Sequence, residues 1–222
     1  MSLTELHRRL LADVLAVGDA YPLALTGGYA VQAHGLVDRL SQDIDVATES
    51  PARMENIATT VRAGLEERGW HVRALETDPL SARLIVTDPT NGDECEVDLL
   101  KETFWRPPVL TEHGLVLSLE DVIGTKVRAL ADRGLARDLI DVRAATDRWS
   151  NSELEGLGRR HARDTFDLTD LQARLVGADW IDDTEFAVYG LEDTDITDLR
   201  RWAQMWADDI AERLHELTVD DE

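Results

Sequence analysis

Leu40-Ser41-Gln42-Asp43-Ile44-Asp45-Val46-Ala47, read with the glycine pair of Thr26-Gly27-Gly28-Tyr29 upstream of it, is the stretch on which the fold turns. Apolar Ile44, Val46 and Ala47 mark a strand. The two-residue period of a strand places the Asp43 and Asp45 carboxylates on one face and Ile44 on the other. Two adjacent carboxylates repel unless a cation lies between them. Mg²⁺ suits such a pair, because it prefers hard oxygen ligands, takes only one or two carboxylates and keeps room for water and phosphate. Before this strand, residues 23–26 read as a short apolar strand ending at the glycine pair, and residues 29–34 as a short helix. Strand, Gly-Gly and helix together outline a phosphate-binding arrangement.

Working outward, Ser50-Pro51 is expected to open a helix over 52–68, with serine as the cap and proline at the first position. Three strands follow, at 70–76, 82–87 and 95–100, and the turn-forming run Asp88-Pro89-Thr90-Asn91-Gly92-Asp93 makes the last two a hairpin. From Ser118 onward the pattern is helical. Ser118 and Asp121 form a capping arrangement for a helix over 119–133 that Gly134 ends, and further helices are expected at 137–149, 152–163, 168–178 and 196–217. The change near residue 117 divides the chain into an α/β domain, 1–117, and a helical domain, 118–222, expected to pack on it.

Composition narrows the function. The 222 residues carry 45 acidic and 23 basic side chains, a formal net charge of −22, which opposes a protein whose main activity is sequence-independent binding to a polyanion. Residues 181–222 hold nine Asp and five Glu against three Arg, half of the net charge, in keeping with solvated helical faces. Cys95 is the single cysteine, so no internal disulfide forms and a reducing compartment is implied. Residues 1–17 alternate charged and apolar side chains as an amphipathic helix does, unlike a signal peptide, and no apolar run reaches the ~20 residues that span a bilayer. The expectation is a cytoplasmic protein that does not enter membranes.

Further charged groups join the two aspartates. Glu94, Glu96 and Asp98 share one face of the neighbouring strand, and Asp98, flanked by Val97, Leu99 and Leu100, is the candidate third metal ligand. Lysine occurs twice, at Lys101 and Lys126, against 21 arginines. A lysine kept against that bias fits a need for a compact ammonium facing phosphate oxygens. Arg133 lies two helical turns after Lys126 on the same face, and Asp138 and Asp141 project together from the next helix.

In this order, Gly27-Gly28, Ser41-Gln42-Asp43-Ile44-Asp45, Lys126-Val127-Arg128-Ala129-Leu130-Ala131-Asp132-Arg133 and Arg137-Asp138-Leu139-Ile140-Asp141 resemble the polymerase-β-type nucleotidyltransferases. More narrowly they resemble the AbiEii/AbiGii toxin family. The glycine pair and Asp-x-Asp are common to the superfamily; the lysine helix followed by Arg-Asp-x-x-Asp is more specific. The resemblance implies an α/β (α+β) fold, a mixed sheet with helices followed by a helical half. It implies a nucleoside triphosphate as co-substrate, with Asp43, Asp45 and Asp98 holding Mg²⁺. Gly27, Gly28 and Ser41 would face the phosphates, and Lys126 with Arg133 would neutralise departing pyrophosphate. Asp138 or Asp141 would orient or deprotonate the attacking hydroxyl. In relatives the acceptor can be the 3′ end of tRNA and the partner a co-encoded antitoxin. An RNA acceptor requires a local arginine-lined surface, for which Phe104-Trp105-Arg106 and Arg159-Arg160-His161 with Arg163 are candidates.

Two other readings share part of this pattern. An antibiotic nucleotidyltransferase has the same glycine pair and Asp-x-Asp, and an acidic surface suits a cationic aminoglycoside. A nucleotidyltransferase-like binding module without activity would be marked by loss of Asp43 or Asp45, and both are present.

Overall fold

Alternation of buried apolar and outward polar side chains builds the sheet. In β2 (Asp43–Thr48), β4 (Ser81–Thr87) and β5 (Glu94–Lys101), the side chains of Ile44, Val46, Leu84, Val86, Val97 and Leu99 are fully buried. The computed structural model describes residues 3–39 and 41–220, so Leu40, Met1, Ser2, Asp221 and Glu222 lie outside the described residues. The chain divides into two compact units between Val122 and Ile123. This division falls a few residues after the change in sequence pattern at 117.

The first unit begins with α1 (Glu5–Val17), capped by the Thr4 hydroxyl, which accepts from the His7 amide. It continues through β1 (Ala24–Leu25), α2 (Gly27–Ala33), β2, α3 (Met54–Glu67), β3 (His71–Thr77), β4, β5, β6 (Val109–Thr111) and β7 (Gly114–Val116). The seven strands run in the order β3-β4-β5-β2-β1-β7-β6, with β2 parallel to β5, β1 parallel to β7 and the other neighbours antiparallel. The sheet is therefore mixed, as expected. On its apolar face it buries Leu10, Leu11 and Val14 of α1 together with Ile57, Val61 and Leu65 of α3 in one core.

The hairpin of β4 and β5 forms as the sequence implies, Thr87 opposite Glu94. Two details differ. The helix α3 begins at Met54, with Arg53 and not Ser50 at its cap. The Lys101 ammonium binds the carbonyls of Ser50 and Ala52, and this turns that segment away from the helical ladder. The short strands β6 and β7 were not expected, because three-residue strands carry too few alternations to show a period.

The helical unit contains most of α4 (Leu119–Asp132), followed by α5 (Ala136–Arg143), α6 (Asn151–His161), α7 (Leu168–Gly177), α8 (Asp183–Ala187) and α9 (Asp193–Asp220). The expected cap of α4 is present: Ser118 Oγ accepts from the Asp121 amide at 3.1 Å. The Asp121 carboxylate in turn accepts the Arg106 amide at 3.0 Å. The helix α5 stops six residues before the expected 149, where the Thr146 hydroxyl donates to the Arg143 carbonyl at 2.8 Å. A full capping box, Ser150 with Glu153, starts α6. Short α8, unmarked by any long periodic run, begins at its Asp182 cap. Buried Glu155 anchors α6 to α9, accepting Trp206 Nε1 at 2.9 Å and Arg213 at 2.6 and 3.0 Å.

Among the described residues no helix is long and apolar enough to cross a membrane.

Candidate active site

Strand register decides which acids meet. Asp43 lies opposite Glu96 and Asp45 opposite Asp98 across the parallel β2–β5 pair, so all four carboxylates occupy the same, non-core face. Ile44, Val97 and Leu99 point into the core beneath them. That face is half-buried at Asp43, Asp45, Glu96 and Asp98.

The glycine pair is pressed against this face. Gly27 has φ +63°, a left-handed conformation that glycine adopts without cost, and a Cβ placed on it would fall 1.8 Å from Asp45 Oδ2. A Cβ on Gly28 would fall 2.6 Å from Ser41 Oγ and 3.5 Å from Arg39 Nη1. Backbone, hydroxyl and guanidinium are thus gathered where a side chain would otherwise stand. Ser41 Oγ donates to Asp43 Oδ1 at 2.8 Å. Gly27, Gly28, Ser41, Asp43 and Asp45 are accordingly brought together. Gly27→Ala is expected to cost about 1–2 kcal/mol in backbone strain, read by thermal unfolding, and to depress transfer further because the methyl displaces the Asp45 carboxylate.

Beneath Asp43 lies a buried polar pair. The Tyr29 hydroxyl and His7 Nδ1 share a hydrogen bond, their rings edge to face at 5.5 Å between centroids. Burial pushes the Tyr29 phenol up to about 12. It also holds the His7 imidazole below its usual value, against the pull of the Asp43 charge. Tyr29→Phe leaves His7 Nδ1 buried without that partner; an equilibrium unfolding loss of about 1–3 kcal/mol is expected.

Asp98 has a partner other than the expected one. Arg83 of β4, directly opposite it, donates Nε to Asp98 Oδ1 and Nη2 to Asp98 Oδ2, each at 2.8 Å. The Arg83 Nε also lies 3.1 Å from Glu96 Oε1. Among the described residues no three of His, Cys, Asp and Glu are grouped so as to hold a metal by themselves. The donor set at Asp43 and Asp45 nonetheless fits Mg²⁺ carried by a triphosphate, for which two carboxylates suffice when phosphate and water complete the shell.

In the helical unit the four remaining site candidates pair off. Lys126 Nζ lies 2.8 Å from Asp141 Oδ2, both side chains nearly or fully buried. Arg133 donates Nε and Nη2 to the two oxygens of Asp138 at 2.8 and 3.0 Å. Asp138 and Asp141 are 0% exposed. Each of these carboxylates, one of which is expected to orient or deprotonate an acceptor hydroxyl, is enclosed and engaged by a cation.

Three residues at the α/β site were missed. Arg83 was legible in principle, since the hairpin turn closes with Thr87 opposite Glu94 and counting back places Arg83 opposite Asp98. Arg39 continues the two-residue spacing of Ser41, Asp43 and Asp45. His7 and its contact with Tyr29 carried no local signal.

The mixed sheet presents Asp43 and Asp45 beside the backbone of Gly27 and Gly28, an arrangement suited to a nucleotidyltransferase. The family model "Nucleotidyl transferase AbiEii toxin, Type IV TA system" matches residues 9–216. The chain therefore belongs to the AbiEii nucleotidyltransferase toxin family, whose members use nucleotides and belong to toxin–antitoxin systems. Among solved structures it resembles MenT4, a nucleotidyltransferase toxin from Mycobacterium tuberculosis H37Rv, at a TM-score of 0.61 and 15% identity over 92% of this chain and 83% of that one. It also resembles a putative nucleotidyltransferase from H. pylori, at 0.57 and 18% identity over 97% and 99%, and JHP933 from Helicobacter pylori, at 0.55 and 18% over the whole of both chains. These likenesses are of fold. No curated protein matches the chain.

Proposed function

We propose that the protein transfers a nucleoside monophosphate from a nucleoside triphosphate, with Mg²⁺, to the 3′ end of tRNA, as the toxin of a pair with a co-encoded antitoxin. The observation that carries this reading is the placement of Asp43 and Asp45 side by side on the face against which Gly27 and Gly28 are packed. Asp43 and Asp45 would hold the cation, which when bound offsets triphosphate charge and polarises the phosphorus under attack. Ser41 orients Asp43, and Arg39 with the Gly27-Gly28 backbone faces the phosphates. We assign Lys126 the charge of the departing pyrophosphate, with Asp141 holding its ammonium in place and Arg133 with Asp138 in support. The acceptor oxygen bonds to the α-phosphorus as the bond to the bridging oxygen breaks, and the hydroxyl proton passes to water.

A nucleic-acid acceptor is supported by Trp105, 53% exposed and followed by exposed Arg106 on a loop tied down by Asp121. Arg159, Arg160 and Arg163 are exposed too, whereas His161 is buried and drops out of that group. A second reading, transfer to a cationic antibiotic, draws its support from the net charge of −22.

One experiment tests both. Pure protein is incubated with each α-labelled nucleoside triphosphate, Mg²⁺ and total cellular RNA, beside a parallel reaction with aminoglycosides. Label on tRNA-sized bands is the expected result. Label on the drug alone overturns the tRNA acceptor, and no label on either overturns the proposed transfer.

A further inference from the structure

Four carboxylates share the outer face at the junction of β2 and β5, and one guanidinium sits among them. Arg83 engages both oxygens of Asp98 at 2.8 Å and Glu96 at 3.1 Å. The register sets it in line with the nucleotide site: Asp45, Asp98, Arg83 and Glu76 are successive partners across β2, β5, β4 and β3. A guanidinium is always charged and its planar fork matches a carboxylate with two parallel hydrogen bonds, the strong form of this ion pair. The Asp98 side chain is only 13% exposed while that of Arg83 is 44% exposed, so solvent reaches the pair from the arginine side and its strength lies in the two-pronged geometry. The Asp98 hydrogen bonds, with the charges of Glu96 and Asp45, raise the affinity of Arg83 for its proton still further.

A divalent ion binding at Asp98 must first displace both of these hydrogen bonds. It would then hold the displaced arginine beside a like charge, because Arg83 is fixed on β4, paired on both sides by β3 and β5. At Asp43 the Ser41 hydroxyl donates to Oδ1, a hydrogen bond that a metal-bound carboxylate can keep.

We propose that Arg83 is a built-in counter-charge of the nucleotide site, which commits Asp98 and Glu96 to an ion pair and limits the protein to one divalent cation, held by Asp43 and Asp45. Arg83 thereby supplies by protein charge what a second ion would otherwise supply. This rests on the reading of Asp43 and Asp45 as the cation ligands given above.

The test counts ions directly. Mn²⁺ bound by the full chain with a non-hydrolysable nucleoside triphosphate analogue is measured by electron paramagnetic resonance. The Asp43→Asn/Asp45→Asn protein sets the background from the remaining acids. Wild type is expected to bind one ion above background, Arg83→Gln two, and Arg83→Gln/Asp98→Asn one again. Two ions in wild type, or one in both wild type and Arg83→Gln, overturn the proposal while leaving the cation reading of Asp43 and Asp45 in place. No ion above background in wild type overturns that reading and the proposal with it. Asp98→Asn alone gives a second check that does not depend on the folding of an Arg83 variant. Its Mn²⁺ affinity is expected to stay near that of wild type, and a loss of about tenfold or more, the usual cost of disturbing a ligand or its support, overturns the proposal.

Discussion

Replacing Asp43 by asparagine is expected to lower nucleotidyl transfer by about three orders of magnitude, the rate equivalent of the several kcal/mol that a correctly held cation contributes to a charged transition state. The substitution keeps shape and leaves the Ser41 hydroxyl a partner, so the fold is expected to survive; circular dichroism and thermal unfolding check this. Asp45→Asn is expected to behave alike, because the two carboxylates stand side by side on one strand face and, on the proposed reading, each would supply half of the cation's protein ligands. The measurement is label transfer at saturating nucleotide and Mg²⁺. Transfer within tenfold of wild type in either variant excludes the assignment.

Lys126 presents a different problem, since it is nearly buried and its loss affects stability as well as chemistry. The ammonium lies 2.8 Å from a carboxylate that is fully enclosed, so removing it takes a close counter-charge from a buried anion. Lys126→Met is therefore expected to cost about 3–5 kcal/mol of folding stability and to abolish transfer. Lys126→Met/Asp141→Leu, which replaces the pair by apolar side chains of similar size, is expected to recover most of the stability, because a buried ion pair adds little over a well-packed apolar pair. Transfer is expected to remain absent in the double variant. Recovery of transfer along with stability would show the pair to be a fold element and nothing more. Denaturant unfolding and the labelling assay, run on the same three proteins, separate these outcomes.

Much of the candidate site could be read from local order. Glycine pair, Ser-x-Asp-x-Asp and a lysine-bearing helix are short-range patterns, and their chemistry depends on spacings within one strand or one helix. Asp138 and Asp141 show where that kind of reading stops. Their i, i+3 spacing correctly places them near one another on α5, but nothing in the spacing reveals that both are enclosed and each is taken by a cation from α4 or the turn after it. Asp98 teaches the same lesson within a sheet. Its alternation places it on the acid face, while its partner comes from the opposite strand.

By itself the sequence determined the order and type of the long elements and the placing of Asp43 and Asp45 on one strand face, since each of these follows from periodicity or spacing along the chain. Only the tertiary structure decided which charges neutralise which, Arg83 with Asp98, Lys126 with Asp141 and Arg133 with Asp138, and which buried polar groups meet, His7 with Tyr29. Those pairings depend on strand register and helix packing, where a shift of one residue would turn a side chain to the opposite face, and on burial, which sets whether a carboxylate meets substrate or holds another residue in place.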